Sequence, residues 1–295
     1  MEGGFMENKR RFGDRFDGKL IRDIDPLHLV MALIYPNRCD NEAFISERIN
    51  LSRLNSYLEK KNANSPEYEY NLFQVIVTAL LKTIMLRPKI NRFIANKNMY
   101  QRDDISAAFI VKKTFSDDGG EGLAVVKANS DDNIDTIHNE IYRIVSSLRS
   151  SKGESSTDES IKIFSKTPRF TQKMFAKFVC ILDRFGKVPK AFIADDPYYC
   201  SAVLTNLGSI QLHSGYHHLT NWGTTSVFTV VGERKKRPFF DDDGNVTMID
   251  SIDVGFTVDK RIADGYYFSK TVRLFKTLVE NPELLDLSLS QEVEY

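Results

Sequence analysis

Several of the usual functional signals are missing from this sequence. Net charge is absent, because 40 Lys and Arg balance 40 Asp and Glu; no overall field draws in nucleic acid, and no nucleic-acid-binding motif occurs. Cysteine is scarce: Cys39, Cys180 and Cys200 are widely spaced, odd in number and form no C-x-x-C. That argues against a disulfide framework or a metal cluster and for a reducing compartment. No apolar run approaches the length of a membrane span, and the first residues are polar and glycine-containing where a signal peptide would carry an apolar core. There is no Ser-His-Asp spacing, no Gly-rich phosphate loop and no metal-ligand spacing. The expectation is a cytoplasmic protein without a metal, its 295 residues enough to bury a substantial core.

What is present is a set of alternating helical and strand patterns. Residues 1–41 read as an N-terminal arm, with the first 26 charged and glycine-punctuated. Ser52 is placed as N-cap of a helix carrying Leu54 and Leu58. Leu72 to Leu86 is apolar nearly all round, hence a buried helix, and Arg87-Pro88 ends it. Ile105 to Lys112 and Gly122 to Lys127 read as strands joined by a turn at Asp117-Asp118-Gly119-Gly120. Ser130 or Asp131 caps a helix whose apolar positions run from Ile134 to Leu148, and residues 150–160 read as a solvated linker. Pro168 to Phe185 has Phe175, Phe178, Val179, Ile181 and Leu182 on one side with Lys173, Lys177 and Arg184 among them. Such a helix can lie on a membrane or hold a partner; the reading preferred here packs it on its own domain with its lysines snorkelling out.

The most informative stretch is Val254 to Leu285. Val254, Phe256 and Val258 alternate as a half-buried strand does, and beyond Gly265 the residues Phe268, Val272, Phe275, Leu278 and Val279 recur at helical spacing until Asn281-Pro282. Asp264 sits at the strand-to-helix corner, where a carboxylate caps free amides and meets the positive end of the helix dipole.

This stretch resembles the end of the catalytic domain shared by the dihydrolipoamide acyltransferases of 2-oxoacid dehydrogenase complexes and by chloramphenicol acetyltransferase. Their signature is H-x-x-x-D-G, often D-H-R-x-x-D-G, running into an amphipathic helix that ends near P-x-x-L. Asp259, Arg261, Asp264, Gly265, Pro282 and Leu285 stand in register with it. Lys260 stands where the family has its catalytic histidine. Upstream, P-K-I-N-R-F-I resembles the family's segment after its central helix, and A-V-L-T-N-L-G-S resembles its T-F-T-I-S-N-L-G, which puts Thr205 at the serine whose hydroxyl helps to stabilise the tetrahedral intermediate. Asn221 matches the Asn of the family's I-N-P-P-Q segment, although both prolines are missing.

The resemblance covers about Glu42 to Leu285. It implies an α/β fold, an α+β two-layer sandwich with a mixed sheet flanked by helices, for residues 42–295. It further implies a homotrimer whose active channels lie between subunits. Coenzyme A or an acyl-CoA would be the donor substrate and a small thiol or hydroxyl compound the acceptor. The family's histidine takes a proton from the attacking thiol or hydroxyl, while the aspartate at the position of Asp264 pairs with an arginine; Arg15, Arg22 and Arg38 are the candidate partners. An ordinary lysine, with a pKa of about 10.4, is protonated at neutral pH, so Lys260 is expected to be salt-bridged or phosphate-contacting before it is a base. His217 and His218 are the alternative bases. Residues 161–195 exceed the family's usual short crossing, which leaves a second reading open: a non-catalytic trimeric scaffold or binding protein with this insertion as its interface. No lipoyl domain precedes the catalytic stretch, so the chain is not expected to be a complete dehydrogenase-complex core subunit.

Overall fold

The computed structural model describes residues 10–112, 121–150, 165–189, 193 and 196–295. Its centre is β10 (Val246–Asp259), whose second half pairs antiparallel with β2 (Glu42–Asn50) on one side and with β8 (Val227–Val231) on the other. From β8 the sheet continues through β7 (Ala202–Asn206) and β5 (Ile105–Lys112), both joined in parallel register, to β6 (Glu121–Ala128), antiparallel to β5. With β9 (Lys235–Phe240), which pairs with the first half of β10, this makes a mixed seven-stranded sheet among the described residues. A smaller sheet of β1 (Gly18–Leu20), β4 (Asn98–Arg102) and β3 (Arg92–Ala95) lies beside it. The expected two-layer α/β architecture with a mixed sheet is therefore present.

Helices cover one face of the main sheet. α1 (Pro26–Ile34) starts on the Asp25 cap; α2 (Leu54–Asn62), α3 (Leu72–Leu86), α4 (Ile134–Ser150) and α6 (Gly265–Glu280) supply the helical side of the core. α3 is buried along most of its length because its apolar residues run all round it, and each Val, Leu or Ile so buried contributes roughly 1.5–3 kcal/mol. The sheet gives this core its alternate residues: Ala107, Phe109 and Val111 from β5, Val227 and Val231 from β8, and Val254, Phe256 and Val258 from β10. Within the apolar run, Lys82 is fully buried and donates to the carbonyls of Leu284 (3.1 Å) and Ser288 (2.7 Å), so a cation ties α3 to the turn that follows α6.

Local details differ from the sequence reading. Ser52 does not cap α2, which begins behind Arg53 without a side-chain cap; the Ser52 amide instead donates to Asn50. α4 is capped by neither Ser130 nor Asp131 but by Asn133, whose Oδ1 accepts from the amides of Asp135 and Thr136. The turn at 117–120 and residues 151–160 of the linker lie outside the described residues.

α5 (Arg169–Arg184) departs most. Only Asp183 of this helix is buried, while Phe170, Met174, Phe178 and Ile181 stand exposed. The helix is therefore not packed on its own domain by its apolar side, as its amphipathic pattern led us to expect. What docks is its last turn. Asp183 accepts from the Tyr199 hydroxyl (2.6 Å) and the Gly223 amide (3.2 Å), and Arg15 donates to its carbonyl (2.6 Å). Gly186 then ends the helix at φ +63°, a left-handed turn open to glycine, and a Cβ there would meet Arg15 at 3.0 Å.

The second face of the main sheet is covered differently. A small cluster of Ala108, Val203, Phe228 and Val230 is capped by the loop after β7, which includes Leu219. That loop lies directly on the sheet: a Cβ on Gly255 would stand 2.1 Å from the Gly215 carbonyl. Gly255→Ala is accordingly expected to push the loop off the sheet and destabilise the fold by about 1–3 kcal/mol. A urea titration measures this, and unchanged stability would contradict the close approach.

Candidate active site

The corner that bears Lys260 is fixed from below by charge. Asp259, fully buried at the end of β10, receives both guanidinium contacts of Arg261 (Nε to Oδ1 2.8 Å, Nη2 to Oδ2 2.6 Å), a forked pair of the strongest kind. Arg261 gives its remaining nitrogen to the Tyr35 carbonyl (2.7 Å), and its own carbonyl meets Nδ1 of His28 (2.8 Å). A second buried guanidinium, Arg38, stands with Nε 3.9 Å from Asp259. The backbone is pinned as well: the Asp259 amide donates to Ser226 and the Lys260 amide to Asn41. With residues 259 and 261 turned inward, Lys260 between them points out.

The Lys260 ammonium lies 5.7 Å from the centre of the Tyr35 ring, a contact that favours a cation. Among the described residues it forms no ion pair: Asp259 is engaged by the two arginines, and Asp264 caps α6 by accepting from the Tyr267 amide (2.8 Å). Of the two expectations for Lys260, a salt bridge or a phosphate contact, the salt bridge is not formed among the described residues. Asp264 is held below its usual carboxylate range chiefly by that amide bond, with Lys89 adding to it. None of Arg15, Arg22 and Arg38 pairs with Asp264; they lie against Asp17 and Asp183, Asp14, and Asp259 respectively.

Thr205 and the histidines gather elsewhere. Thr205 lies near the end of β7 in register with Val230, which in turn faces Gly255 of β10. Lys260 is five residues beyond Gly255, so the two side chains are separated by roughly 16 Å along the strands and by two strand spacings of about 4.8 Å. One chain keeps them at opposite ends of the sheet. His217 stacks flat on Phe228 (4.2 Å, 6°), and Phe228 pairs with Val203, two residues before Thr205 on the same face. His217 and Thr205 therefore share one region, offset by roughly 7 Å along the strand and one strand across. The exposed rings of His217 and His218 turn Nδ1 toward each other (3.4 Å), and His213 pairs with Glu233 (3.1 Å). Asn221 accepts from the amides of Arg38 and Cys39, joining this loop to the arginine network. Among the described residues no group of His, Cys, Asp and Glu is arranged to hold a metal.

No family model matches the sequence, and no curated protein matches it. Solved structures do. The chain is similar to a probable dihydrolipoamide acetyltransferase from Listeria monocytogenes, with a TM-score of 0.57 and 16% identity over 94% of this chain and 98% of that one. It is also similar to the dihydrolipoamide acetyltransferase of Azotobacter vinelandii (TM-score 0.59, 11% identity, 90% and 94% covered). A chloramphenicol acetyltransferase aligns at TM-score 0.54 with 12% identity, covering 90% of this chain and 98% of that one. The chain thus has the fold of dihydrolipoamide acetyltransferase cores and chloramphenicol acetyltransferase.

The motif places Asp259 and Arg261 side by side without showing that they bond each other, and Arg38, one of three arginines offered to Asp264, lies against Asp259 instead. Removing the shared partner is the direct check. Asp259→Ala leaves two buried guanidiniums uncompensated and is expected to cost about 3–5 kcal/mol, read from denaturant unfolding. A cost below about 1 kcal/mol, the range of an exposed pair, would show that the network does not hold the corner.

Proposed function

We propose that this chain is a CoA-dependent acyltransferase-family protein, assembled as a homotrimer, whose histidine-based transfer chemistry is altered or lost. The observation that carries the reading is the corner itself. An acyltransferase fold keeps the pinned D-x-R-x-x-D-G turn, with Asp264 capping α6, and presents Lys260 where the family's base stands. An amine becomes a base at neutral pH through burial or a like-charged neighbour; Lys260 is exposed and lies over an aromatic ring. In this reading acyl-CoA is the donor, and a small thiol or hydroxyl compound is the acceptor. The Thr205 hydroxyl is the donor to the oxyanion.

Assembly is supported by the second sheet face, which exposes Phe44 and Ile110 at 55% each and Leu123 at 40%. A neighbouring copy would cover such an apolar surface. It would also bring one chain's Lys260 corner toward another chain's Thr205, which no single chain does. Among the described residues no helix is long and apolar enough to cross a membrane.

A second reading, a binding or scaffold protein, is favoured by the exposed apolar side of α5, from Phe170 through Ile181. Chemistry separates the two. Calorimetry with CoA and acetyl-CoA, together with a thiol-release assay of wild type and Lys260→His, is expected to show CoA binding by both proteins. Transfer should be gained in Lys260→His by about 100-fold or more, the usual worth of a positioned base. Wild-type transfer to a dihydrolipoamide-type thiol that Lys260→Ala abolishes would overturn the altered-or-lost reading, and absence of CoA binding would favour the scaffold.

A further inference from the structure

α5 meets the domain through its last turn, and the side it turns toward the body is not its apolar one. Cys180, Asp183 and Arg184 line the cavity between this turn and the loop 36–41. At 3.6 residues per turn, Phe170, Met174, Phe178 and Ile181 share an arc of roughly 80° on the other side of the helix. All four are exposed, from 46% at Ile181 to 71% at Phe170, and Phe185 just past the helix is exposed as well. Large apolar side chains gathered in one row and directed away from the domain mark a contact surface.

The charges of the helix say what that contact is. Arg169, Lys173, Lys177 and Arg184 occupy a second arc of roughly 80°, which begins beside Phe170. Asp183 is the one acidic residue of α5, and it is buried against Arg15, Tyr199 and Gly223. The exposed surface of the helix therefore presents only positive charge next to its apolar row. A second copy of this chain has no net charge to set against it, since 40 basic residues balance 40 acidic ones. An anionic bilayer has.

We propose that α5 docks the protein on an anionic phospholipid surface. With 16 residues and a basic side, the helix is too short and too charged to span a bilayer. It fits the interfacial plane, with its apolar row in the acyl boundary and its lysines reaching the phosphates along their methylene stems. The row runs roughly 17 Å from Phe170 to Ile181 on a helix held at its end, so a flat surface can meet all of it at once. The inference rests on the binding-protein reading, for which it names the occupant, and it is independent of whether acyl transfer occurs.

Co-sedimentation of the full chain with vesicles tests it, using phosphatidylcholine alone and phosphatidylcholine mixed with phosphatidylglycerol. Binding to the mixed vesicles and not to the neutral ones is expected, weakening as salt screens the charges. Lys173→Gln combined with Lys177→Gln should lower the affinity about 25-fold, roughly fivefold for each basic residue at an anionic surface. Phe170→Asp combined with Phe178→Asp should abolish binding while the urea midpoint stays that of wild type, because both rings are exposed. Should the phenylalanine pair fail to fold, the lysine pair decides alone. No binding to the mixed vesicles, equal binding to the neutral ones, or binding that both double variants leave unchanged would overturn the proposal. So would a loss of oligomeric mass in the phenylalanine pair without vesicle binding by wild type, since a second copy would then be the occupant and the scaffold reading would stand without a membrane.

Discussion

The corner at residues 259–261 depends on one carboxylate. Asp259 is fully buried, gives both oxygens to Arg261 and is approached by Arg38. Taking these ions out of water is expensive, and a well-packed apolar replacement would be as stable or more so. The network's effect lies in position. It turns residues 259 and 261 inward, ties them to the Tyr35 carbonyl, and leaves Lys260 directed outward above the Tyr35 ring. The turn is held by residues 259 and 261 whatever side chain residue 260 carries.

Much of the architecture was legible because it rests on periodicity. β5, β6, β10, α3, α4 and α6 all follow apolar patterns of period two or 3.6. Proline and Asn-Pro mark where α3 and α6 end, since neither allows the next helical turn. The caps were less legible. Several residues before α4 can accept amide bonds, and the choice of Asn133 over Ser130 or Asp131 depends on a fraction of a turn. For α5 the amphipathic pattern was plain, but its meaning was decided by Asp183 alone, whose bonds to Arg15, Tyr199 and Gly223 dock the helix by its end.

The site was legible as a motif and illegible as a network. D-K-R-I-A-D-G carries the corner on adjacent residues, whereas Arg38, Tyr35 and Asn41 reach it from more than two hundred residues away. No local spacing announces such partners. Asp264 illustrates the limit: its acidic character at a helix start correctly implied a cap, but none of the three arginines offered to it stands beside it, and Arg38 lies against Asp259. The loop bearing His217 was likewise opaque, because its place is set by Gly255 and Gly232, whose missing side chains let it lie on the sheet.

Distance is the governing constraint. Thr205 and Lys260 sit at opposite ends of one sheet, and the same sheet leaves Phe44 exposed on β2, beyond β10, and Ile110 and Leu123 exposed on β5 and β6, beyond β7. In the proposed acyltransferase reading, a transfer site that uses both residues is assembled from more than one copy. Native mass spectrometry of the purified full chain at micromolar concentration tests this most directly. A species of three chains is the expected result. A chain that stays monomeric under those conditions would contradict the account, because its Thr205 and Lys260 would never meet.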